Sequence, residues 1–521
     1  MFDVIPERLS TLIYRSAVYD WFLPSRAPSS VRAPQGLQGP QPGAANGGYH
    51  RRLNGLGAQT AWAADMQFAP HAAATPAGMT PLRDDFRDIT MVDANPSDLW
   101  PAISAWISRH RRWDPRSWRS DILAERLTRW LSVYDAVSIG IDADDRVRWA
   151  TEILRAAKHL NRIRIGNVDP WRRFLVHQAR INAALALPEM ESTLQKRLNE
   201  LGQDVDRQIL GDGGHIERAP ARALCVLAIL TEIRDALTGH HIEPPTGLIS
   251  ALDRMVPFIK ALLHADGGFA LFGGATADTG PLIDAVIKAS DGKGRAMASA
   301  PHTGFHRLRA GQTTLICDCG RTSENTIGFH GPASFELSAG KIRLISNCGV
   351  RLADDAQRRN WMQALGSTAA HSALVIAERD TGPVTEARVE RRDHDGARLI
   401  EMSHDGYLAK TGLRHTRSIY LDASGSDVRG EEILSGARSQ PFSVRFHLYP
   451  GVSASMVAGG GEVLVKPPRG RGWRFVCHYP VRLEDTVSFF DGRQHRAQQI
   501  VILGNHEPSE TVVKWRFAID G

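Results

Sequence analysis

The chain has 521 residues, of which 42% are hydrophobic and 23% charged, an ordinary globular composition in a length that exceeds what one hydrophobic core organises. No apolar run approaches the roughly 18 residues that cross a bilayer, and five cysteines are too few and too scattered for a disulfide framework. The formal charge of +6 favours anionic ligands by long-range attraction but does not separate nucleic acid from an acidic polysaccharide.

The N-terminus, Met1-Phe-Asp-Val-Ile-Pro-Glu-Arg, lacks the basic region, apolar segment and small-residue cleavage site of a secretory signal, so a cytoplasmic location is expected. Residues 1–95 read as an irregular arm, because the stretch from about Pro24 to Thr75 is dominated by Gly, Pro, Ala and Asn and has little to bury. From about Ser97 the pattern becomes helical: Leu99, Ile103 and Ile107 stand at four-residue steps, as do Leu123, Leu127 and Leu131. Further helices are expected over roughly 144–162, 168–187, 189–209, 218–238, 245–264 and 280–288. Short Gly-, Pro- or Asp-bearing turns between them imply antiparallel helix pairs, the unit of α/α bundles, solenoids and toroids. No repeat at a fixed period is evident, which disfavours a solenoid. Tryptophans 100, 106, 113, 118 and 130 in the first helices are expected in helix–helix cores before any sugar-stacking groove.

Near His302 the helical stripe gives way to short alternating or apolar segments bounded by glycine. Phe305-His-Arg-Leu-Arg, Thr313-Thr-Leu-Ile-Cys, Ile342-Arg-Leu-Ile, Arg417-Ser-Ile-Tyr-Leu and Val512-Val-Lys-Trp-Arg-Phe are examples, and they predict an antiparallel sandwich. A run of helices followed by a run of strands indicates segregated domains, here a helical domain over 96–298 and an antiparallel β-sheet domain over 299–521.

The segment Gly211-Asp-Gly-Gly-His-Ile-Glu-Arg-Ala-Pro lies between two expected helices. Its glycines allow a tight turn, and amides opening the next helix suit a carboxylate, with His215, Glu217 and Arg218 nearby. Taken alone, a plain helix-to-helix corner with a capping Asp accounts for it more simply. Basic runs such as Arg469-Gly-Arg-Gly-Trp-Arg read as solvated surface before anion grips, and no Walker loop, GxSxG elbow or Rossmann fingerprint appears.

The Asp212-Gly-Gly-His-x-Glu turn is similar to one in the heparinase II/III-like group. Three stretches follow in that group's order: His330-Gly-Pro-Ala-Ser-Phe-Glu-Leu; Asn347-Cys-Gly with Gly366-Ser-Thr-Ala-Ala-His-Ser-Ala-Leu; and His404-Asp-Gly-Tyr with Arg417, Asp427 and Arg429-Gly-Glu-Glu. The resemblance covers roughly residues 95 to 515. It implies an (α/α) toroid of helical hairpins followed by an antiparallel β-sandwich. It further implies an acidic polysaccharide or oligosaccharide partner rather than nucleic acid, and β-elimination on a uronic acid held between the domains. That reaction needs neutralisation of the sugar carboxylate beside a base of tuned pKa.

On that resemblance, His215 matches the carboxylate-neutralising position and Glu217 its acidic companion, with Arg218 and Arg222 as substrate-binding residues. His330 falls near a family histidine. His371 and His404 resemble histidines that hold a structural zinc in some members, with Glu386 or Asp393 as third ligand. The resemblance also makes a periplasmic location the alternative. The sequence departs from the lyase pattern where Ala221-Arg-Ala replaces a Tyr-His pair and Asp266-Gly-Gly-Phe269 offers phenylalanine where a tyrosine is sought. A β-domain residue such as Tyr407, or a histidine, is then the substitute base. Two readings follow, a lyase and a non-cleaving glycan-binding or envelope-associated relative; a glycoside hydrolase would need paired carboxylates across a cleft, for which only Asp212 and Glu217 offer themselves.

Overall fold

Helix α1 (Pro96–Arg109) is followed by α2 (Ser120–Ser138), α3 (Ala143–Arg162), α4 (Arg172–Ala186), a 3-10 turn at Pro188–Thr193, α5 (Leu194–Gln208), α6 (Pro220–Gly239), α7 (Thr246–Ala261) and α8 (Gly280–Ala289). The computed structural model describes residues 28–32, 96–110, 112–165, 168–275, 280–322, 331–350, 358–457, 460–490 and 493–520. Most of the expected N-terminal arm, and His330, lie outside the described residues. Of the arm, residues 28–32 rest against the end of α4 through Arg32 N–H to Ala186 O at 3.2 Å.

Local chemistry sets the helix ends. Asp142 caps α3 by accepting from the Asp145 N–H at 2.8 Å, with acids in its first turn and His159 and Arg162 in its last. Pro220 opens α6 at a position whose N–H would be unused. Helices α4 and α6 are buried on nearly every side, whereas α5 is amphipathic, so α4 and α6 are inner helices. Trp100, Trp106, Trp118 and Trp130 are buried in the same helical core, as expected for tryptophan there. Among the described residues no helix is long and apolar enough to cross a membrane.

The strands begin with β1 (Ser299–Ala300), β2 (Phe305–Ala310), β3 (Thr313–Asp318), β4 (Phe335–Ala339) and β5 (Ile342–Ser346). After helix α9 (Arg358–Gly366) come β6 (Leu374–Ile376), β7 (Ala387–His394) and β8 (Ala397–His404). After the short α10 (Leu408–Thr411) come β9 (Arg414–Leu421), β10 (Asp427–Gly436), β11 (Gln440–Leu448), β12 (Ser453–Met456), β13 (Glu462–Lys466), β14 (Trp473–Cys477), β15 (Val481–Ser488), β16 (His495–His506) and β17 (Ser509–Ile519). One sheet runs β1-β2-β3-β4-β5-β11-β16-β15 with β6 also on β11, and the other runs β12-β13-β14-β17-β10-β9-β8-β7. Their inner faces meet in a core where Phe335 stacks on Trp515 at 5.6 Å and Phe446 meets Trp515 edge-on at 5.0 Å. The architecture is an (α/α) toroid followed by an antiparallel β-sandwich, the fold class expected from sequence.

The two halves share apolar contact. Phe305 of β2 lies 6.2 Å from Phe258 of α7 and 5.5 Å from Phe272, and belongs to the helical core. Burying one such ring contributes about 1.5–3 kcal/mol, so the junction is packed as an interior.

Candidate functional site

The Asp212 segment forms a hairpin between α5 and α6. Leu210 N–H donates to Gly214 O at 2.8 Å, Gly213 N–H to Leu210 O at 2.9 Å and Ile216 N–H to Gln208 O at 3.0 Å. The Asp212 Oδ1 atom accepts from Gly214 N–H at 3.0 Å. Gly213 has φ +82°, and a Cβ there would lie 2.1 Å from the Arg254 carbonyl oxygen of α7. The turn therefore needs glycine twice over, for its backbone angle and for the close approach of α7.

His215 and Glu217 sit beneath this hairpin rather than on an open cleft. His215 is 0% exposed and Glu217 1%. The His215 Nε2–H donates to Gln208 Oε1 at 3.0 Å, leaving Nδ1 to face the Glu217 N–H at 3.4 Å and Glu217 Oε2 at 3.3 Å. Arg222 pairs with Glu217 Oε1 at 2.6 Å and approaches Asp169 at 3.7 Å. The structure thus brings His215, Glu217 and Arg222 together but turns them on one another.

Asp212 and Arg218 fasten the toroid to the sandwich. The second Asp212 oxygen accepts from the Thr303 N–H at 2.8 Å and the Thr303 hydroxyl at 3.0 Å. Arg218, expected to bind substrate, instead donates to Thr303 O at 2.7 Å and Arg321 O at 3.0 Å, pairs with Asp318, and lies over the Phe305 ring at 5.2 Å. Its φ of 53° costs an L-residue about 1 kcal/mol, which these contacts offset. Arg218 is a junction residue because its guanidinium is spent on β-domain acceptors.

A second hairpin, between α7 and α8, repeats the first. His264 N–H donates to Gly268 O at 3.0 Å, Gly267 N–H to His264 O at 3.0 Å and Ala270 N–H to Leu262 O at 2.9 Å. Asp266 Oδ1 accepts from Gly268 N–H at 2.9 Å, and Phe269 takes the place of His215. Arg343 of β5 grips Asp266 with two bonds, 2.7 and 3.0 Å, and donates to Phe269 O at 2.7 Å. Glu336 of β4 accepts from His264 Nε2 at 3.1 Å, Leu271 N–H at 2.9 Å and Asn347 N–H at 2.9 Å. Sequence reading misses this buried network, although the repeated Asp-Gly-Gly is its visible signal.

Tyr407 corrects a sequence expectation. It is 0% exposed, its hydroxyl donates to Leu374 O at 2.8 Å, and burial raises its pKa above the ordinary tyrosine value. A phenol sealed in the sandwich core and hydrogen-bonded to backbone is not placed to take a proton from a sugar. The zinc set also fails to assemble. His404 Nδ1 accepts from Gly406 N–H at 3.2 Å, its Nε2–H donates to His415 Nδ1 at 3.0 Å, and the His415 Nε2–H donates to Glu432 at 2.7 Å. Glu432 also takes Arg417 at 2.8 Å and Trp515 at 2.9 Å. Burial pushes both imidazoles toward the neutral form; it would raise the Glu432 carboxyl too, but Arg417 and His415 hold that group low.

His371 faces Ser367 O at 2.8 Å, Glu386 is largely exposed against Arg414 at 3.2 Å, and Asp393 pairs with Arg391 at 3.1 Å. Among the described residues no three His, Cys, Asp or Glu side chains converge to hold a metal. The residues present do not fit the zinc that the resemblance implies, because the His404 nitrogens are both committed to hydrogen bonds and Glu386 is drawn to Arg414.

Comparisons with known proteins agree with this architecture. Residues 292–516 match the family model "Heparinase II/III-like, C-terminal". The chain is 27% identical over 445 residues to FtsZ-localized protein C of Caulobacter vibrioides (strain NA1000 / CB15N), covering 80% of this chain and 76% of the relative. It shares its fold with heparan sulfate lyase HepC from Pedobacter heparinus, with a TM-score of 0.66, 14% identity, and coverage of 94% of this chain and 86% of that one. A heparinase III crystal structure matches with a TM-score of 0.67, 12% identity, and coverage of 84% and 76%. The chain is thus polysaccharide lyase-like in fold, and its residues 292–516 are similar to the heparinase II/III-like C-terminal domain.

Proposed function

We propose that this chain holds an acidic polysaccharide or oligosaccharide without cleaving it, as a relative that keeps the lyase fold and has lost the base. The observation that carries this reading is the sealing of two of the expected proton-transfer groups: His215 and Tyr407 are each 0% exposed, and both have their polar atoms engaged by protein. A base must come within about 2.6–3.2 Å of the proton it removes, and neither side chain can meet a sugar without unpacking its domain. Phe269, in the place of the second hairpin that corresponds to His215, carries no ionisable group. The likeness to FtsZ-localized protein C supports a role alongside the division machinery, since that relative is named for its localisation with FtsZ.

The test is incubation of the full chain with heparosan, alginate, chondroitin and pectate while absorbance of the unsaturated product is followed, with affinity measured in parallel. Binding without product is the expected outcome. Product formation that His330→Ala abolishes would restore the lyase reading with His330 as its base. A fluorescent fusion that fails to overlap FtsZ in dividing cells would remove the division-site part of the reading.

A further inference from the structure

The outer face of the β7–β10 sheet carries a groove of about 640 Å³, and among the described residues the charged side chains that line it pair within the sandwich and not with the toroid. One cross-strand row forms its floor. Leu399 of β8 pairs with Tyr420 of β9, Tyr420 with Arg429 of β10, Arg429 with Arg516 of β17, and Arg516 with Val476 of β14. Five strands at the usual spacing make the row roughly 19 Å long, running across the strands.

Two arginines side by side on neighbouring strands repel unless something holds them. Asp427 does so: Arg429 Nε and Nη2 donate to one of its oxygens at 2.9 and 2.6 Å, and Arg516 Nε donates to the other at 2.8 Å. Arg429 also lies over the Tyr420 ring at 5.8 Å. Arg429 Nη1, both Arg516 Nη groups and the Tyr420 hydroxyl have no partner among the described residues. Both arginine side chains remain more than half exposed, at 62% and 52%. Lys514 stands beside them with Glu431 at 3.3 Å. The result is a pair of oriented forks with their outer edges open, next to the flat, half-buried Tyr420 and the apolar Leu399.

We infer that this groove is a binding site for a uronate-bearing sugar chain, whose carboxylate takes the outer edges of Arg429 and Arg516 while a ring lies along Tyr420 and Leu399. Planar guanidiniums match carboxylate geometry with two bonds. The chemistry favours a sugar over an acidic peptide, because an extended peptide adds to a free sheet edge and β9, β10 and β17 are paired on both sides. The ligand must therefore be read by side chains alone. The inference rests on the acidic-glycan reading above and locates the binding surface on the sandwich.

The experiment is calorimetric titration of the full chain with size-defined heparosan and alginate oligosaccharides at fixed salt, and with poly-glutamate. The proteins compared are wild type, Arg429→Gln/Arg516→Gln, Tyr420→Ala and Arg516→Lys. All the substituted side chains project outward, and unchanged melting temperatures verify the fold. Expected are saturable binding by wild type, weakening by at least about tenfold in the double variant, a smaller loss in Tyr420→Ala, and failure of Arg516→Lys to restore full affinity. Wild-type binding that the double variant leaves unchanged overturns the groove while the glycan-binding reading stands. Absence of any oligosaccharide binding overturns both, and equal affinity for poly-glutamate overturns the sugar assignment in favour of an acidic peptide.

Discussion

The Asp212 and Asp266 hairpins have the same backbone hydrogen bonds, the same aspartate accepting from the second glycine, and the same left-handed first glycine, at φ +82° and +87°. They differ in what meets them from the sandwich. Asp212 is held by a neutral threonine and its backbone N–H, and the space above Gly213 is filled by the backbone of α7. Asp266 is held by the buried Arg343 guanidinium, and Gly267 has nothing within 4 Å of where a Cβ would lie. The hairpin is thus a strut between domains that tolerates different fastenings. An Asp-Gly-Gly turn followed by histidine is not by itself a catalytic device, since its copy does the same joining with phenylalanine.

The largest difference between the two struts is expected at their first glycines. Gly213→Ala drives a Cβ into the Arg254 carbonyl, a backbone atom that cannot step aside, and should cost more than about 4 kcal/mol. Gly267→Ala meets only the backbone-angle penalty of about 1–2 kcal/mol. Thermal melts of the two proteins separate these outcomes, and similar losses would mean that α7 yields around the first hairpin. Next comes Arg343→Met, which leaves Asp266 with only the Gly268 N–H and the fully buried Glu336 short of a neighbouring cation 3.7 Å away. Removing one partner from such a pair costs about 3–5 kcal/mol, to be read by denaturant unfolding.

The helices were legible because burial is written in their spacing: Leu123, Leu127 and Leu131 mark the buried face of α2. Strands β10, β15 and β16 were not. In β10 the inward positions include Glu432 and Gly430 while Ile433 points outward, so apolar alternation is absent. The hairpin was legible as a turn, but its partner Thr303 lies 91 residues away, and nothing in the local sequence says which domain it faces. His404 shows the same limit: two histidines and acidic neighbours suggest a metal, whereas the register of β8 against β9 places His404 opposite His415, so that a hydrogen-bonded pair forms instead.

The struts should also differ in acid. The position of Leu210 in the first hairpin is His264 in the second, where burial and the nearby Arg343 push the imidazole pKa below its ordinary value, against the opposing pull of Glu336. A histidine that resists protonation when folded contributes stability fully present above the unfolded pKa of about 6.5, and lost as pH falls through the folded value. The contribution changes by at most about 1.4 kcal/mol per pH unit below that point. His159 and His447, each pushed down to about 3, and His306, pushed down to about 4, all mainly by burial, supply a common background slope. The informative quantity is therefore the slope of stability against pH between 6.5 and 5 in wild type and in His264→Leu. The variant should be flatter by up to one proton, whatever its stability at pH 7, and an unchanged slope would remove His264 from the acid response.

The smallest effect is expected at Thr303, and it is the sharpest test of whether the two fastenings differ in kind. Thr303→Val keeps the shape of the side chain, including the methyl group that covers Gly214, and keeps the backbone N–H that donates to Asp212 at 2.8 Å. Only the hydroxyl bond at 3.0 Å is lost. Asp212 then retains two backbone donors, Gly214 and Thr303, so its carboxylate is still partnered, and the net loss should be about 1 kcal/mol. Asp266 has less reserve, because both bonds from the sandwich come from the one Arg343 side chain and only the Gly268 N–H remains without it. Denaturant unfolding with an unchanged m-value should therefore place Thr303→Val well above Arg343→Met in stability. If the two fall together, the Asp212 fastening depends on its hydroxyl bond as strongly as the Asp266 fastening depends on its charge, and the distinction between the struts disappears.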